Sequence, residues 1–322
     1  MHRWWIPLAT GAIFFFIIAC AIPYASSLYD VNKSLVGLVL ALCSFGNSAQ
    51  KGTTSYDYSY CAFVPFIFAY LVYLRKEELD RAVIKQSNFG LGLMALGVFI
   101  YWFGIRANNQ YFGYASIQML LAGVILWLWG WGVFRILLFP WAFFAFAWPL
   151  PFLEPIIAFP LRMNMSTMAA HLLPMLGIPC VQDGTALLSA PDPLHNLPLG
   201  ARYQIDIADP CSGIRSLFAL LMFSALFGYL FLPRLWQQWF IFLSAFPLSI
   251  LGNLARVIML VLGCLWFGSS FALGTVDEPS TFHEGCGFLV YGVAMGMEFF
   301  IASLLTREWK FGSDSDDDDE LE

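Results

Sequence analysis

Three side chains with reactive or ionic chemistry stand in unusual places along this chain. Cys211 sits in Asp209-Pro210-Cys211-Ser212-Gly213-Ile214-Arg215, and a long apolar run starts directly behind it. Asp209 suits an N-cap and Pro210 the first helical position, so Cys211 falls in the first turn of a predicted helix. The unpaired N–H groups and the dipole at a helix start favour a thiolate. Arg215, four residues on, shares that helix face, and a nearby cation favours the thiolate further. Gly213 removes side-chain bulk beside the sulfur. The same residues also describe a plain helix start with an ordinary buried cysteine, and the local sequence leaves both readings open.

Arg256 lies inside another apolar run, Pro247-Leu248-Ser249-Ile250-Leu251-Gly252-Asn253-Leu254-Ala255-Arg256-Val257-Ile258. A guanidinium stays charged and costs several kcal/mol at membrane depth unless it is paired, so an intramembrane arginine is a functional candidate by default. Asn253, three residues earlier, adds donors on the same face. Other readings are a structural ion pair with a buried carboxylate such as Glu298 or Glu154, or a break between two shorter spans. His283 precedes the last apolar run and can exchange protons near neutral pH; Glu284 beside it could orient the ring or cap the helix. His283 and Cys286 offer two metal ligands without companions. Seven cysteines occur and no CxxC pair, so neither a structural zinc nor any other metal or cofactor is expected. His171 and His195 fall on a predicted interfacial helix and in a Pro-rich loop. A cysteine, an arginine and a histidine together have the chemistry of a thiol enzyme at a membrane surface.

The elements that must position them are membrane spans. The chain is 59% hydrophobic and 12% charged, with mean hydropathy +0.70, against roughly 25% charged residues in soluble domains. Apolar stretches fit for a bilayer are Trp4–Tyr24, Tyr60–Leu74, Phe89–Arg106, Tyr114–Phe134, Ile136–Ile157, Ile214–Leu232, Trp236–Phe267 and Gly287–Leu305. The expected fold is therefore all-α, a polytopic transmembrane bundle of about eight spans. Ser34–Phe45 and Asn164–Leu176 read as interfacial helices or parts of wider loops. Continuous apolar runs argue against a barrel, and no internal repeat of the transporter kind is evident. Residues 1–312 read as one membrane domain, with an uncleaved first span, and residues 313–322 as an acidic disordered tail. Without that tail the net charge of -6 nearly disappears, which gives no reason to expect a nucleic-acid partner.

Basic residues set the orientation. Arg75, Lys76, Arg81 and Lys85 cluster in one short loop and read as cytoplasmic, with Arg3, Arg135, Arg234, Arg307 and Lys310 on the same side. The loop from about Gly177 to Pro210, Cys211 and His283 then lie outside, on the extracytoplasmic face.

Three motifs in this order, Ala208-Asp209-Pro210-Cys211-Ser212-Gly213-Ile214-Arg215-Ser216-Leu217, Asn253-Leu254-Ala255-Arg256 and Phe282-His283-Glu284-Gly285, resemble those of the exosortase/archaeosortase family. Tyr58-Ser59-Tyr60 with Phe63-Val64-Pro65, Trp148-Pro149-Leu150-Pro151-Phe152-Leu153-Glu154-Pro155 and Leu176-Gly177-Ile178-Pro179 extend the resemblance over roughly Tyr56 to Leu305. Tyr60 departs from the family, which often has histidine there. The resemblance implies a cysteine transpeptidase of the bacterial cytoplasmic (inner) membrane. It implies Cys211 as nucleophile and Arg256 and His283 as its partners; Asn253 and Arg215, by their helix-face spacing, are expected to support them. It also implies substrates that are exported proteins ending in a Pro-containing motif, a transmembrane segment and a basic tail (a PEP-CTERM-like signal). They are handed to an acceptor that the motifs do not name, or to water. The rival reading is a transporter or structural membrane subunit in which Arg256 binds an anion and Cys211 is incidental.

Overall fold

The computed structural model describes residues 23–26, 29–34, 59–148, 156–157, 159–207, 214–274 and 280–313. They belong to two compact units, Met1–Pro151 and Phe152–Glu322. The expected first span, Trp4–Tyr24, and the Ser34–Phe45 segment lie almost entirely outside the described residues, as does the acidic tail beyond Ser313.

In the first unit, β1 (Pro23–Ser26) pairs antiparallel with β2 (Tyr29–Ser34). A 3-10 turn (Ser59–Phe63) leads into α1 (Val64–Leu74) and the charged α2 (Lys76–Arg81). The main packing unit is the hairpin of α3 (Phe89–Arg106) and α4 (Gln110–Leu128). Its turn is closed by Asn109, whose side chain accepts the Tyr111 N–H at 2.9 Å and caps α4. Two glycines face each other across the pair: a Cβ on Gly90 would stand 2.4 Å from the Trp127 main-chain nitrogen, and one on Gly123 3.0 Å from the Gly90 oxygen. In lipid, where apolar contact with a neighbour gains little over contact with acyl chains, such close backbone approach is a main source of helix association.

The sequence reads as two continuous spans over Tyr114–Phe134 and Ile136–Ile157. The structure differs. Gly130 takes φ +81, a left-handed conformation that ends α4. The Lys85 carbonyl passes so close that a Cβ on Gly130 would lie 1.7 Å from it. The chain resumes as α5 (Gly130–Ile136) and α6 (Leu138–Phe143), a pair bent by 64°.

The second unit opens with α7 (Phe159–Met175), followed by the antiparallel sheet β3 (Cys180–Asp183), β4 (Ala186–Ser189) and β5 (Gln204–Asp206). Then come α8 (Ile214–Phe231), α9 (Leu235–Phe267), the short α10 (Ser269–Leu273) and α11 (Thr281–Ser313). One core joins Met165, Ala169 and Leu173 of α7 to Leu187 of β4, Ile205 of β5, the Leu254–Cys264 stretch of α9 and Cys286 of α11. A separate core at the other end of the bundle holds Phe227, Leu232, Ile241 and Ala302. The sheet thus covers one end of the α8–α9–α11 bundle.

Two expectations change. An all-α fold is corrected by the two small sheets. The segment after Gly177 carries short runs in which alternate residues such as Leu187 and Ile205 are buried, and Gly184 at φ +60 turns the β3–β4 hairpin. The helical membrane architecture stands. Among the described residues, however, four helices are long and apolar enough to span a bilayer, or five if the bent pair counts as one span. The Tyr60–Leu74 stretch appears as the 3-10 turn and α1, and the Ile214–Leu232 stretch as α8 (Ile214–Phe231). Asn164–Leu176 forms most of α7, a helix and not a loop, with Met165, Ala169 and Leu173 buried at helical spacing.

Candidate active site

Arg256 and His283 come together at the sheet-covered end of the bundle. α9 runs unbroken through Arg256, so this residue does not mark a break between spans. Its guanidinium lies against the backbone of α11: a Cβ added to Gly287 would stand 3.3 Å from both Cζ and Nη2. From there its charge acts on His283 and on Cys286, one turn of α11 further. The helices close on one another through small residues, since a Cβ on Gly252 would meet Val290 at 2.8 Å and one on Gly263 would meet Phe282 at 2.5 Å.

His283 is 6% exposed and is fixed through α10. Its main-chain N–H donates to Ser280 Oγ at 3.0 Å, and that hydroxyl donates to the Ala272 carbonyl at 2.9 Å. The Ser280 N–H donates to the Leu273 carbonyl at 3.2 Å, and the same carbonyl accepts from the imidazole. In the neutral ring, an N–H committed to a carbonyl puts the lone pair on the other nitrogen, where a base needs it. α10 is set off by glycines at both ends, Gly268 at φ +90 and Gly274 at φ +80. Glu284 does not take the orienting role expected of it. Its side chain is exposed and its main-chain N–H donates to the Ser280 carbonyl at 3.1 Å.

Asn253 is buried beside Arg256, and both line a cleft between α8, α9 and α11 with Ser249, Gly287 and Tyr291. Glu298 is not the ion-pair partner of Arg256. It is 0% exposed, is hydrogen-bonded to Ser224 Oγ at 2.5 Å, and stands eleven residues beyond Gly287 on α11, about 16 Å along the helix axis. Glu154 and residues 208–213, Cys211 among them, lie outside the described residues; Arg215 stands in the first turn of α8.

The remaining thiols and imidazoles are placed differently. Burial pushes the Cys180 thiol up, which keeps it protonated and unreactive. Cys264 and Cys286 are buried in the core. His171 is exposed, with Nδ1 2.7 Å from the Thr167 carbonyl. His195 bonds Asp192 at 2.7 Å in the loop before β5, and this bond holds the Asp192 carboxyl below its ordinary range. Among the described residues no group of three or more His, Cys, Asp or Glu could hold a metal ion.

Sequence reasoning named Arg256, Asn253 and His283 as candidates, which the structure brings together, and missed the parts that seat them. Ser280 was findable, because a serine three residues before His283 at the start of an apolar run is an N-cap signature. Gly287 was not, because its role is a distance between two helices.

The family model described as transmembrane exosortase (Exosortase_EpsH) matches residues 52–300. No curated protein and no solved structure matches.

Proposed function

Because the chain belongs to the transmembrane exosortase family, we propose that it is a membrane-embedded cysteine transpeptidase acting on exported proteins that carry a PEP-CTERM-like C-terminal signal. The observation that carries this reading is the meeting of Arg256 and His283 at one end of the bundle, under the sheet.

In this reading the Cys211 thiol gives its proton to His283, and the thiolate attacks the scissile carbonyl carbon. The carbonyl electrons move onto oxygen, and Arg256, with Asn253, donates hydrogen bonds to the oxyanion. The intermediate collapses with cleavage of the C–N bond, and His283 returns its proton to the leaving amine of the membrane-anchored tail. A thioester on Cys211 remains. The acceptor loses a proton to His283 and attacks the thioester, which releases the thiolate. Arg215, in the first turn of α8, favours the thiolate. The positive-charge bias of the loops places this chemistry on the extracytoplasmic side of the cytoplasmic membrane.

The test uses Cys211→Ala, Arg256→Ala and His283→Ala with a reporter bearing a Pro-Glu-Pro motif, an apolar segment and an Arg-rich end. Each variant is expected to stop reporter processing while remaining in the membrane fraction. Normal processing by Cys211→Ala removes the proposed nucleophile. Labelling of Cys211 by an impermeant thiol reagent from the cytoplasmic side alone overturns the orientation.

A further inference from the structure

Below the cleft that Arg256 lines, α8 and α11 are joined by a polar contact with more acceptors than protons. Leu220 of α8 and Ala294 of α11 line the cleft, and Ser224 and Glu298 follow each of them by four residues, one helical turn. Ser224 Oγ stands 2.6 Å from the Leu220 carbonyl oxygen and 2.5 Å from Glu298 Oε1. A hydroxyl has one proton and a carbonyl has none to give, so both bonds form only if the carboxyl supplies the second proton. The surroundings agree. Ser224 and Glu298 are both 0% exposed. The Phe299 ring packs against Phe223 and Phe227 beside them, with centroids 6.0 and 4.5 Å apart. Among the described residues no cation pairs with Glu298, and its Oε2 has no hydrogen-bond partner. A buried carboxylate so placed takes up a proton rather than stay charged.

We propose that Glu298 is held as a neutral carboxylic acid that donates to Ser224, and that this bond is a positioning contact: it sets the level of α8, and of Cys211 before it, against His283 on α11. The proposal rests on the transpeptidase reading above. α8 and α11 run parallel, since Cys286 near the start of α11 packs under the sheet while Phe227 and Leu232 late in α8 share the far core with Ala302 late in α11. His283 stands fifteen residues before Glu298, and Ile214, where α8 begins, ten before Ser224, about 22 Å and 15 Å up the two axes. Cys211 precedes Ile214 by three residues. The phenylalanine contacts around the bond are non-directional and tolerate sliding. The hydrogen bond does not: a slide of one turn, about 5.4 Å, breaks it and leaves both groups unbonded in apolar surroundings. Glu298 thus acts on the reaction through the two helices and touches no reacting atom.

The experiment uses the full chain in membranes. Infrared difference spectra between the unaltered chain and Glu298→Gln at neutral pH are expected to carry the C=O band of a protonated carboxyl; a carboxylate band in its place overturns the neutral acid. A short bifunctional thiol reagent is then applied to His283→Cys, where it is expected to join Cys211 to the introduced thiol. Adding Glu298→Gln, whose amide still donates to Ser224, should leave this crosslink unchanged. Adding Glu298→Leu should lower it by roughly 2- to 10-fold, the loss of one hydrogen bond. With His283 in place, the reporter described above should show the same split: kcat falls about tenfold in Glu298→Leu at unchanged KM, and stays near its original value in Glu298→Gln. Equal losses in the two variants, or a Glu298→Leu chain whose folded fraction crosslinks and processes normally, overturn the positioning role. So does a crosslink already absent from His283→Cys alone. If the unaltered chain never cleaves the reporter, the transpeptidase reading fails, while the infrared band and the crosslink ratio, which need no turnover, still decide the proposal.

Discussion

Gly287 is where the Arg256 guanidinium rests, and its missing side chain is what allows the rest. A Cβ there stands 3.3 Å from the guanidinium carbon, so Gly287→Ala moves the end of a flexible side chain by a few tenths of an ångström. The helices themselves need not part. Misplacement by about 1 Å can cost a hundredfold in rate, and a shift of this smaller size is expected to lower kcat for reporter processing about tenfold. KM and thermal unfolding should stay near their original values; a variant that instead unfolds early would show Gly287 to be a packing residue. Arg256 itself was legible from the sequence because a charge inside an apolar run is costly and demands a reason. Gly287 was not legible, because glycines are frequent in membrane helices and only the three-dimensional distance distinguishes this one. The same holds for Glu298, which the sequence offers as a partner for Arg256 and the helix rise places out of reach.

At the scale of elements, the α3–α4 hairpin shows how facing glycines let two apolar helices close on one another. Both helices are apolar all round, and their facing glycines set the separation. Gly90→Ala would place a methyl group 2.4 Å from main-chain nitrogen, where nothing can swing aside. The hairpin is expected to splay, at a cost of about 1–3 kcal/mol, seen as a lower midpoint of thermal unfolding in detergent. Gly92→Ala, whose Cβ meets nothing within 4 Å, is the control expected to leave it unchanged. Hydropathy read the long helices correctly, and Phe89–Arg106 matches α3 at both ends. It could not see the break at Gly130, since the run of apolar residues continues through it and the cause is the Lys85 carbonyl, distant in sequence. The three-stranded sheet was hidden for another reason: its strands are 3–4 residues long and sit in a segment with loop-like Pro and Asp content.

On the scale of the whole molecule, a family match over residues 52–300 and a set of long apolar helices make this a multi-pass membrane protein. α9 has 33 residues, about 50 Å of helix, against a hydrocarbon core of about 30 Å. Arg256 lies eleven residues before its Phe267 end, about 16 Å down the axis. A helix with this excess can slide or tilt to suit the bilayer, and the side chains it carries change depth as it does. Lipid thickness then acts as a setting on the hydration of Arg256. In liposomes of lengthening acyl chains, the processing rate is expected to fall while binding of the reporter's apolar segment persists; a rate indifferent to thickness would mean that the sheet, and not the bilayer, fixes the depth of the site. The excess length of one helix thereby leaves the depth of Arg256 open to the membrane's own composition.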